Sequence, residues 1–234
     1  MTTFVLVHGA FRGGWAWRRV RPLLLAAGHD VHAPSLLGSG EHAAHLGAVS
    51  GLQVWVDQVS RLLELEDLYD VVLVGHSQGG LVTTGVAAAV PERIGLLVHL
   101  DAALPLPGQR AVDLLGAPAA LPARETHVPP QPAAAAGEHD PATAAWLDAR
   151  TTASPVAVAL DPVVAVPPQV REMHAFCSQT PEGYPSRAVR ARLDAAGTSY
   201  RLLVAGHDAP LSAPELVAEL LLDAAAENDE RNDG

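Results

Sequence analysis

Residues 75–79 read Gly75-His76-Ser77-Gln78-Gly79 and stand between an apolar β-branched run, Val71–Val74, and a run of small residues, Leu81–Ala89. A Gly-x-Ser-x-Gly stretch with a strand before it and a helix after it is typical of a nucleophile elbow. The turn is so tight that the serine backbone is strained, and the flanking glycines leave room for it. The pattern therefore predicts that Ser77 lies exposed above a sheet. It also predicts that the Gln78 N–H, at a helix start, can bind an oxyanion.

Two further turns follow predicted strands and carry chemistry. Val7-His8-Gly9-Ala10 ends the first strand, where the Ala10 N–H can supply a second oxyanion donor. Ala205-Gly206-His207-Asp208 follows the last strand, which places a histidine at the carboxyl edge of the sheet. In folds that carry a nucleophile elbow of this kind, the serine comes first along the chain, then the acid and then the histidine. His207 is therefore the predicted general base. The early His8 is expected to order its loop through hydrogen bonds.

Short apolar runs alternate with helical stretches, which is the pattern of a parallel sheet covered on both faces. The predicted strands are Phe4–Val7, Val31–Ala33, Val71–Val74, Ile94–Leu100, Glu172–Phe176 and Tyr200–Val204. We therefore expect an α/β fold with a six-stranded, mostly parallel sheet. One covering helix is expected to begin at a capping box formed by Ser50 and Gln53.

The interval from about 104 to 170 is rich in Pro and Ala and shows no convincing strand. A long insertion of this kind in a compact α/β domain is usually a lid or a disordered segment. Apolar residues such as Leu114, Trp146 and Leu147 favour a packed cap. We expect one domain over residues 1–234, with the cap setting substrate selectivity. Trp146 is expected either to form an aromatic wall of the substrate site or to pack in the core of the cap.

The composition excludes several function classes. The chain has 15 basic and 26 acidic residues and a net charge of −11, so nucleic acid and membrane surfaces are not expected partners. It contains no Lys, which removes Schiff-base and pyridoxal chemistry. The single Cys177 cannot form an internal disulfide, and no signal sequence is visible, so we expect a cytoplasmic protein. We expect a small-molecule substrate, no cofactor, and a monomer or homodimer. Glu41, His42 and His45 are too weak a pattern to predict a metal site.

Four stretches together resemble the α/β-hydrolase superfamily. They are Phe4–Trp15, Gly75–Gly80, Leu100–Ala103 and Gly206–Pro210. They are most similar to the branch that contains plant methyl-salicylate esterases, hydroxynitrile lyases and bacterial esterase relatives. The resemblance implies the α/β-hydrolase fold and ester hydrolysis without a cofactor. Hydroxynitrile lyases of this branch carry a Lys and a Thr where this chain has Asp208 and Gly9, so cyanohydrin cleavage is not implied.

The acid that should support His207 is not at its usual place in this family. The resemblance implies an Asp in the stretch Cys177–Pro181, where this chain has Thr180. Asp101 is the preferred candidate, because it ends the strand next to the nucleophile strand. Glu182 is nearer the usual loop, but Pro181 limits how the chain can turn it inward. The third alternative is that no carboxylate contacts the histidine.

These residues predict hydrolysis of a small, apolar, aromatic or alkyl carboxylic ester through an acyl-Ser77 intermediate. His207 is the expected base, and the Ala10 and Gln78 amides are expected to hold the oxyanion. A missing acid would favour a non-hydrolytic enzyme of the same fold, such as a lyase, cyclase or dehydratase that uses His207 for proton transfer. A catalytically silent small-molecule receptor is the remaining alternative.

Overall fold

A computed structural model describes residues 1–114, 116, 119–133 and 137–232. Its strands are β1 (Thr3–Val7), β2 (Asp30–His32), β3 (Val71–His76), β4 (Ile94–Leu100), β5 (His127–Val128), β6 (Ser154–Pro155), β7 (Glu172–Cys177) and β8 (Arg201–Leu203). Six of them form one sheet in the order β2-β1-β3-β4-β7-β8, and every neighbouring pair is parallel. The predicted six-stranded sheet is thus confirmed.

Helices cover both faces of this sheet. They are α1 (Arg21–Ala26), α2 (Leu52–Leu65), α3 (Gly79–Ala89), α4 (Pro141–Asp148), α5 (Pro185–Ala196), α6 (Ala209–Ser212) and α7 (Pro214–Asn232). Side chains of β1 alternate between two cores: Phe4 and Leu6 pack with α1 and α7, whereas Val5 and Val7 pack with α2 and α3. Across the described residues, no helix combines the length and apolar character needed to cross a membrane.

The parallel arrangement gathers five loops at one edge of the sheet. In a parallel sheet the carboxyl ends of all strands lie on the same side, and this is where ligands bind in open α/β sheets. The register places His76 of β3 beside Leu100 of β4, and Leu100 beside Ala175 of β7. The residues that follow β1, β3, β4, β7 and β8 are therefore close together although they are far apart in sequence.

The cap between about 104 and 170 contains a small antiparallel pair, β5 with β6, and the helix α4. The expectation that this interval lacks strands is therefore wrong, although each strand has only two residues. Helix α4 begins at Asp140, whose carboxylate accepts hydrogen bonds from the Ala142 and Thr143 amides, and Pro141 follows at its first position.

The predicted capping box at the start of α2 is also wrong. The first residue before the helix is Gly51, and the Leu52 N–H donates to Asp161 Oδ2 at 2.8 Å. Gln53 instead donates to Asp57 Oδ1 on its own helix at 2.7 Å. A Cβ at Gly51 would lie 2.3 Å from Asp161 Oδ2, so only glycine permits this approach. Asp161, which belongs to the cap insertion, therefore accepts the hydrogen bond at the N-terminus of α2 and connects the insertion to the rest of the domain.

Candidate active site

The turn between β3 and α3 has the strained geometry expected of an elbow. Ser77 has a φ of 54°, in the left-handed region that non-glycine residues rarely adopt. Its N–H donates to the Leu100 carbonyl of the neighbouring strand at 3.2 Å. A Cβ at Gly75 would lie 2.4 Å from Thr83 Oγ1, and one at Gly79 would lie 2.6 Å from the Val7 carbonyl oxygen. The two flanking glycines are thus required by close packing around Ser77.

His207 connects Ser77 to a carboxylate. Its Nε2 lies 2.9 Å from Ser77 Oγ, and its Nδ1 lies 2.5 Å from Asp101 Oδ2. Because a carboxylate accepts hydrogen bonds, Nδ1 carries the proton and donates to Asp101. This tautomer leaves Nε2 free to accept the proton of the Ser77 hydroxyl. The structure therefore brings together the predicted nucleophile, the predicted base and the preferred candidate for the acid.

Asp101 is buried, with 1% of its surface exposed, at a φ of 44° just after β4. Its carboxylate also accepts hydrogen bonds from Thr180 Oγ1 at 2.6 Å and from the Cys177 N–H at 3.3 Å. Burial by itself opposes ionisation, but the hydrogen bonds from His207, Thr180 and Cys177 outweigh it and hold the pKa of Asp101 below its ordinary value. Asp101 is thus kept as a carboxylate opposite the imidazole.

The other candidate acid lies elsewhere. The Glu182 side chain is 84% exposed and pairs with Arg187 on the surface. Thr180, which stands at the position implied for the family's Asp, contacts Asp101 and reaches the histidine only through it. The structure therefore brings Asp101, and not Glu182, to His207.

Two aromatic rings support His207. The buried His76 donates from Nε2 to the His207 carbonyl at 2.8 Å, which anchors the loop after β8. Burial, and then the proximity of His207, lowers the pKa of His76 to about 4, so the ring is neutral at pH 7. Tyr184, directly before α5, packs its ring edge-to-face on the His207 imidazole with 4.5 Å between centroids.

The loop after β1 approaches Ser77 from the other side. A Cβ at Gly9 would lie 2.8 Å from Ser77 Cβ, so this loop packs tightly against the elbow. His8 holds the loop, since its Nδ1 donates to the Gly9 carbonyl at 2.8 Å and its Nε2 accepts from the Leu36 N–H at 3.0 Å. Ala10 and Gln78 both line the cavity beside Ser77, and Gln78 is the residue before the first turn of α3. Their backbone amides are the candidate oxyanion donors.

A cavity of about 410 Å³ opens above these residues. Its lining is mostly apolar and comes from Gly9, Ala10, Phe11, Arg12, His76, Ser77, Gln78, Leu81, Ala103, Ala111, Val112, Ala159, Tyr184, Pro185, His207 and Asp208. A cavity of this size accommodates a small organic molecule. Phe11, in the loop after β1, and Tyr184, directly before α5, form aromatic walls of the cavity. No sequence motif in these loops indicates that the two side chains line a binding site.

Trp146, the predicted wall, is not part of the lining formed by the described residues. Its ring packs edge-to-face on Trp15 with 5.4 Å between centroids, and the guanidinium groups of Arg18 and Arg150 lie over it at 4.8 and 4.3 Å. Trp146 belongs, together with Leu147 of the same helix, to a separate apolar cluster. Of the two predicted roles for Trp146, these contacts support packing of the cap onto the loop after β1.

A charged network lies beside the cavity, whose lining includes Arg12 and Asp208. The Asp208 carboxylate accepts from Arg12 Nη2 at 2.8 Å and lies 3.0 Å from His139 Nε2. The Asp208 N–H donates to the Glu138 carboxylate at 2.8 Å. Burial opposes ionisation of Asp208, but the bonds from His139 and Arg12 outweigh it, so its pKa lies well below the ordinary value. Sequence reasoning missed this network because its members lie in loops far apart along the chain.

A second large cavity, of about 560 Å³, lies at the opposite end of the strands, where β4, β7 and β8 begin. Two arginines line it and are already bonded, Arg171 to Asn228 and Arg201 to Glu227. Among the described side chains, no group of three or more His, Cys, Asp and Glu residues is placed to hold a metal ion. The cavity above Ser77 is therefore the candidate active site.

The chain is similar to curated enzymes over part of its length. It is 45% identical over 122 residues to the carbendazim hydrolyzing esterase of Nocardioides sp. (strain SG-4G), covering 52% of this chain and 50% of the relative. It is 41% identical over 106 residues to norfluorocurarine synthase 1 of Strychnos nux-vomica, covering 44% of this chain and 39% of the relative. The chain thus spans half or less of the length of these relatives.

The structural comparison covers nearly the whole chain. The crystal structure of polyneuridine aldehyde esterase superposes with a TM-score of 0.78 at 21% identity, covering 96% of this chain and 99% of that one. At this identity the likeness shows the fold alone. The resemblance deduced from the four sequence stretches is nevertheless confirmed at the level of the family. Residues 4–220 match the Alpha/beta hydrolase family, and the chain belongs to that family.

Proposed function

We propose that the protein is a serine hydrolase that cleaves small, largely apolar carboxylic esters through an acyl-Ser77 intermediate. The observation that carries this proposal is the position of His207, within hydrogen-bond distance of both Ser77 Oγ and Asp101 Oδ2. General-base activation of a serine needs this arrangement. The 45% identity to a relative named as an esterase supports hydrolytic chemistry.

In this mechanism Ser77 Oγ attacks the ester carbonyl carbon while its proton passes to His207 Nε2. Asp101 stabilises the imidazolium that forms. The negative charge on the carbonyl oxygen is held by the Ala10 and Gln78 N–H groups. The intermediate then expels the alcohol, which takes the proton from His207. A water molecule, activated by the same base, releases the carboxylic acid and restores the Ser77 hydroxyl.

The cavity supports the choice of an uncharged, modest-sized ester. Its walls are mostly apolar, and a volume of about 410 Å³ suits an ester of roughly drug-fragment size. The charged residues in its lining, Arg12 and Asp208, are paired with each other. A charged substrate would have to compete with that ion pair, whereas a neutral ester leaves it intact.

A non-hydrolytic enzyme of the same fold is the second candidate. The relative named norfluorocurarine synthase 1, 41% identical over 106 residues, favours it. The contact between His207 Nδ1 and Asp101 favours hydrolysis, because the imidazolium that forms when Ser77 attacks is stabilised by a carboxylate. Ester turnover distinguishes the two.

The test is hydrolysis of p-nitrophenyl acetate and butyrate and of methyl and phenyl esters by the wild-type chain and by Ser77→Ala. Wild type should turn over at least one class of ester, and Ser77→Ala should lose at least about a thousandfold in kcat. Ser60→Ala is the matched control, because Ser60 is a buried serine on α2 away from the cavity. Equal activity of Ser77→Ala and wild type, or no activity of wild type on any ester, would contradict the proposal.

A further inference from the structure

Leu81 lies between two cavities. It is on the first turn of α3 and lines the active-site cavity. It also lines a neighbouring cavity of about 390 Å³. The rest of that lining comes from α2, from the second half of α3 and from residues 161–164. Among the described residues, Leu81 is the one residue that the two linings share.

The cap side of the boundary is firmly held. Asp161 accepts a hydrogen bond from the Leu52 N–H at 2.8 Å and pairs with Arg124. Val163 is bonded through its backbone in both directions, donating to the Gln109 carbonyl and accepting from the Gly108 N–H, each at 2.9 Å. The backbone there is therefore fixed, and the buried Leu81 side chain, 1% exposed, is the part of the boundary that a substitution can remove.

We propose that Leu81 is a specificity-determining residue that limits the length of the acyl chain, and that the neighbouring cavity is an extension of the active site from which the Leu81 side chain separates it. This inference rests on the proposed ester hydrolysis. The leaving alcohol must lie against His207, which protonates it, so the acyl part is the part free to extend along α3. Removing the Leu81 side chain joins two mostly apolar spaces of similar size. Each methylene that then enters the second cavity should raise kcat/KM by about fourfold.

The test compares Leu81→Ala with wild type on p-nitrophenyl acetate, butyrate, octanoate and decanoate. The ratio of kcat/KM for octanoate to that for acetate should rise at least tenfold in Leu81→Ala. Val86→Ala is the matched control, because Val86 is a fully buried residue of the same helix that lines neither cavity. An unchanged ratio in a folded Leu81→Ala, or an equal rise in Val86→Ala, would overturn the inference.

A second substitution distinguishes entry of the acyl chain into the neighbouring cavity from a general loosening of the active site. Ala88 lines only the neighbouring cavity, so Leu81→Ala with Ala88→Phe should fill it and return the octanoate ratio to the wild-type value. If this double variant keeps the raised octanoate ratio, the acyl chain does not lie in the neighbouring cavity, and the inference is overturned. If Leu81→Ala does not fold, Leu81→Val should shift the ratio in the same direction by a smaller factor, and no shift would count against the inference.

The two failures are distinguishable. A wild-type protein that hydrolyses neither these four esters nor the methyl and phenyl esters contradicts the proposed function itself. A wild type that hydrolyses acetate, together with a Leu81→Ala whose chain-length profile is unchanged, contradicts only the role of Leu81.

Discussion

The carboxylate that contacts His207 comes from the end of β4, and a hydroxyl from the loop after β7 holds it in place. The two strands are neighbours, and Leu100 of β4 pairs with Ala175 of β7. Their carboxyl ends are therefore adjacent, so an acid from either loop can reach the same imidazole. In this chain Asp101 provides the charge, and Thr180 provides one of the hydrogen bonds that keep it ionised.

Asp101→Asn tests the acid. The amide can hold the His207 ring but cannot stabilise imidazolium with a full charge, and it favours the wrong tautomer, so kcat should fall by roughly 10³- to 10⁴-fold. The measurement is steady-state ester hydrolysis, with thermal unfolding to show that the fold is kept. Asp57→Asn is the control, since Asp57 is exposed on α2. A loss of less than tenfold for Asp101→Asn would remove Asp101 from the mechanism.

Thr180→Val tests the support for the acid. The Thr180 hydrogen bond helps to lower the pKa of Asp101, so its loss should raise that pKa, and the loss of kcat/KM that follows protonation of Asp101 should begin at higher pH. We expect kcat to fall by about 10- to 100-fold, because Asp101 loses a hydrogen bond that orients it towards His207 and misplaced catalytic groups lose rate by factors of this order. Thr180→Ser keeps the hydroxyl and should restore both the rate and the profile. If Ser and Val behave alike, Thr180 has only a packing role.

His8 makes a prediction about stability. Burial lowers its pKa to about 4 from an ordinary value of 6.5. Between about pH 6.5 and pH 4, His8 is therefore protonated in the unfolded chain but neutral in the folded protein. The free energy of unfolding consequently falls as the pH drops. Between pH 7 and pH 5 this loss is about 2 kcal/mol. Denaturant unfolding of wild type and His8→Gln at both pH values should show a pH dependence smaller by that amount in the variant; identical dependence would contradict the assignment.

The cap is attached to the rest of the domain by a few specific contacts. Asp161 caps α2 from the cap side, and Trp146 of α4 packs on Trp15 after β1. Neither contact could be predicted from the sequence, because the partners of each pair are separated by more than a hundred residues and local patterns carry no such information. The local pattern at Ser50 and Gln53 suggested a self-contained cap for α2, but the tertiary contact from Asp161 replaces it.

Trp146→Ala separates packing from specificity. Because Trp146 contacts Trp15, Arg18 and Arg150 outside the cavity, its removal should destabilise the protein by about 1–3 kcal/mol and leave the relative rates on different esters within about twofold. Tyr184→Leu is the comparison, since Tyr184 lines the cavity and should change those relative rates. The measurements are thermal unfolding and kcat/KM on acetate, butyrate and benzoate esters. A changed ranking with an unchanged melting temperature in Trp146→Ala would return it to the substrate site.

The arrangement of the sheet explains which parts of the site the sequence can predict. Ser77 and His207 each follow a strong apolar run, so chain order and the common carboxyl edge were enough to pair them. The choice among the acids depended on how β4 and β7 lie together, which no local pattern contains. The cavity walls depended on loops such as those holding Phe11 and Tyr184, where composition says little about direction. The sequence thus predicts the strands and the pairing of Ser77 with His207, and long-range packing determines the rest.

Active-site phosphonylation shows directly whether Ser77 is an activated nucleophile. Intact-mass spectrometry after incubation with a fluorophosphonate should show one adduct per chain, and peptide mapping should place it on Ser77. Ser77→Ala should show no adduct, and Asp101→Asn should label much more slowly than wild type, because the base that activates the hydroxyl is weakened. An absent adduct in the folded wild-type protein, or equally fast labelling of Ser77→Ala, would contradict the covalent mechanism.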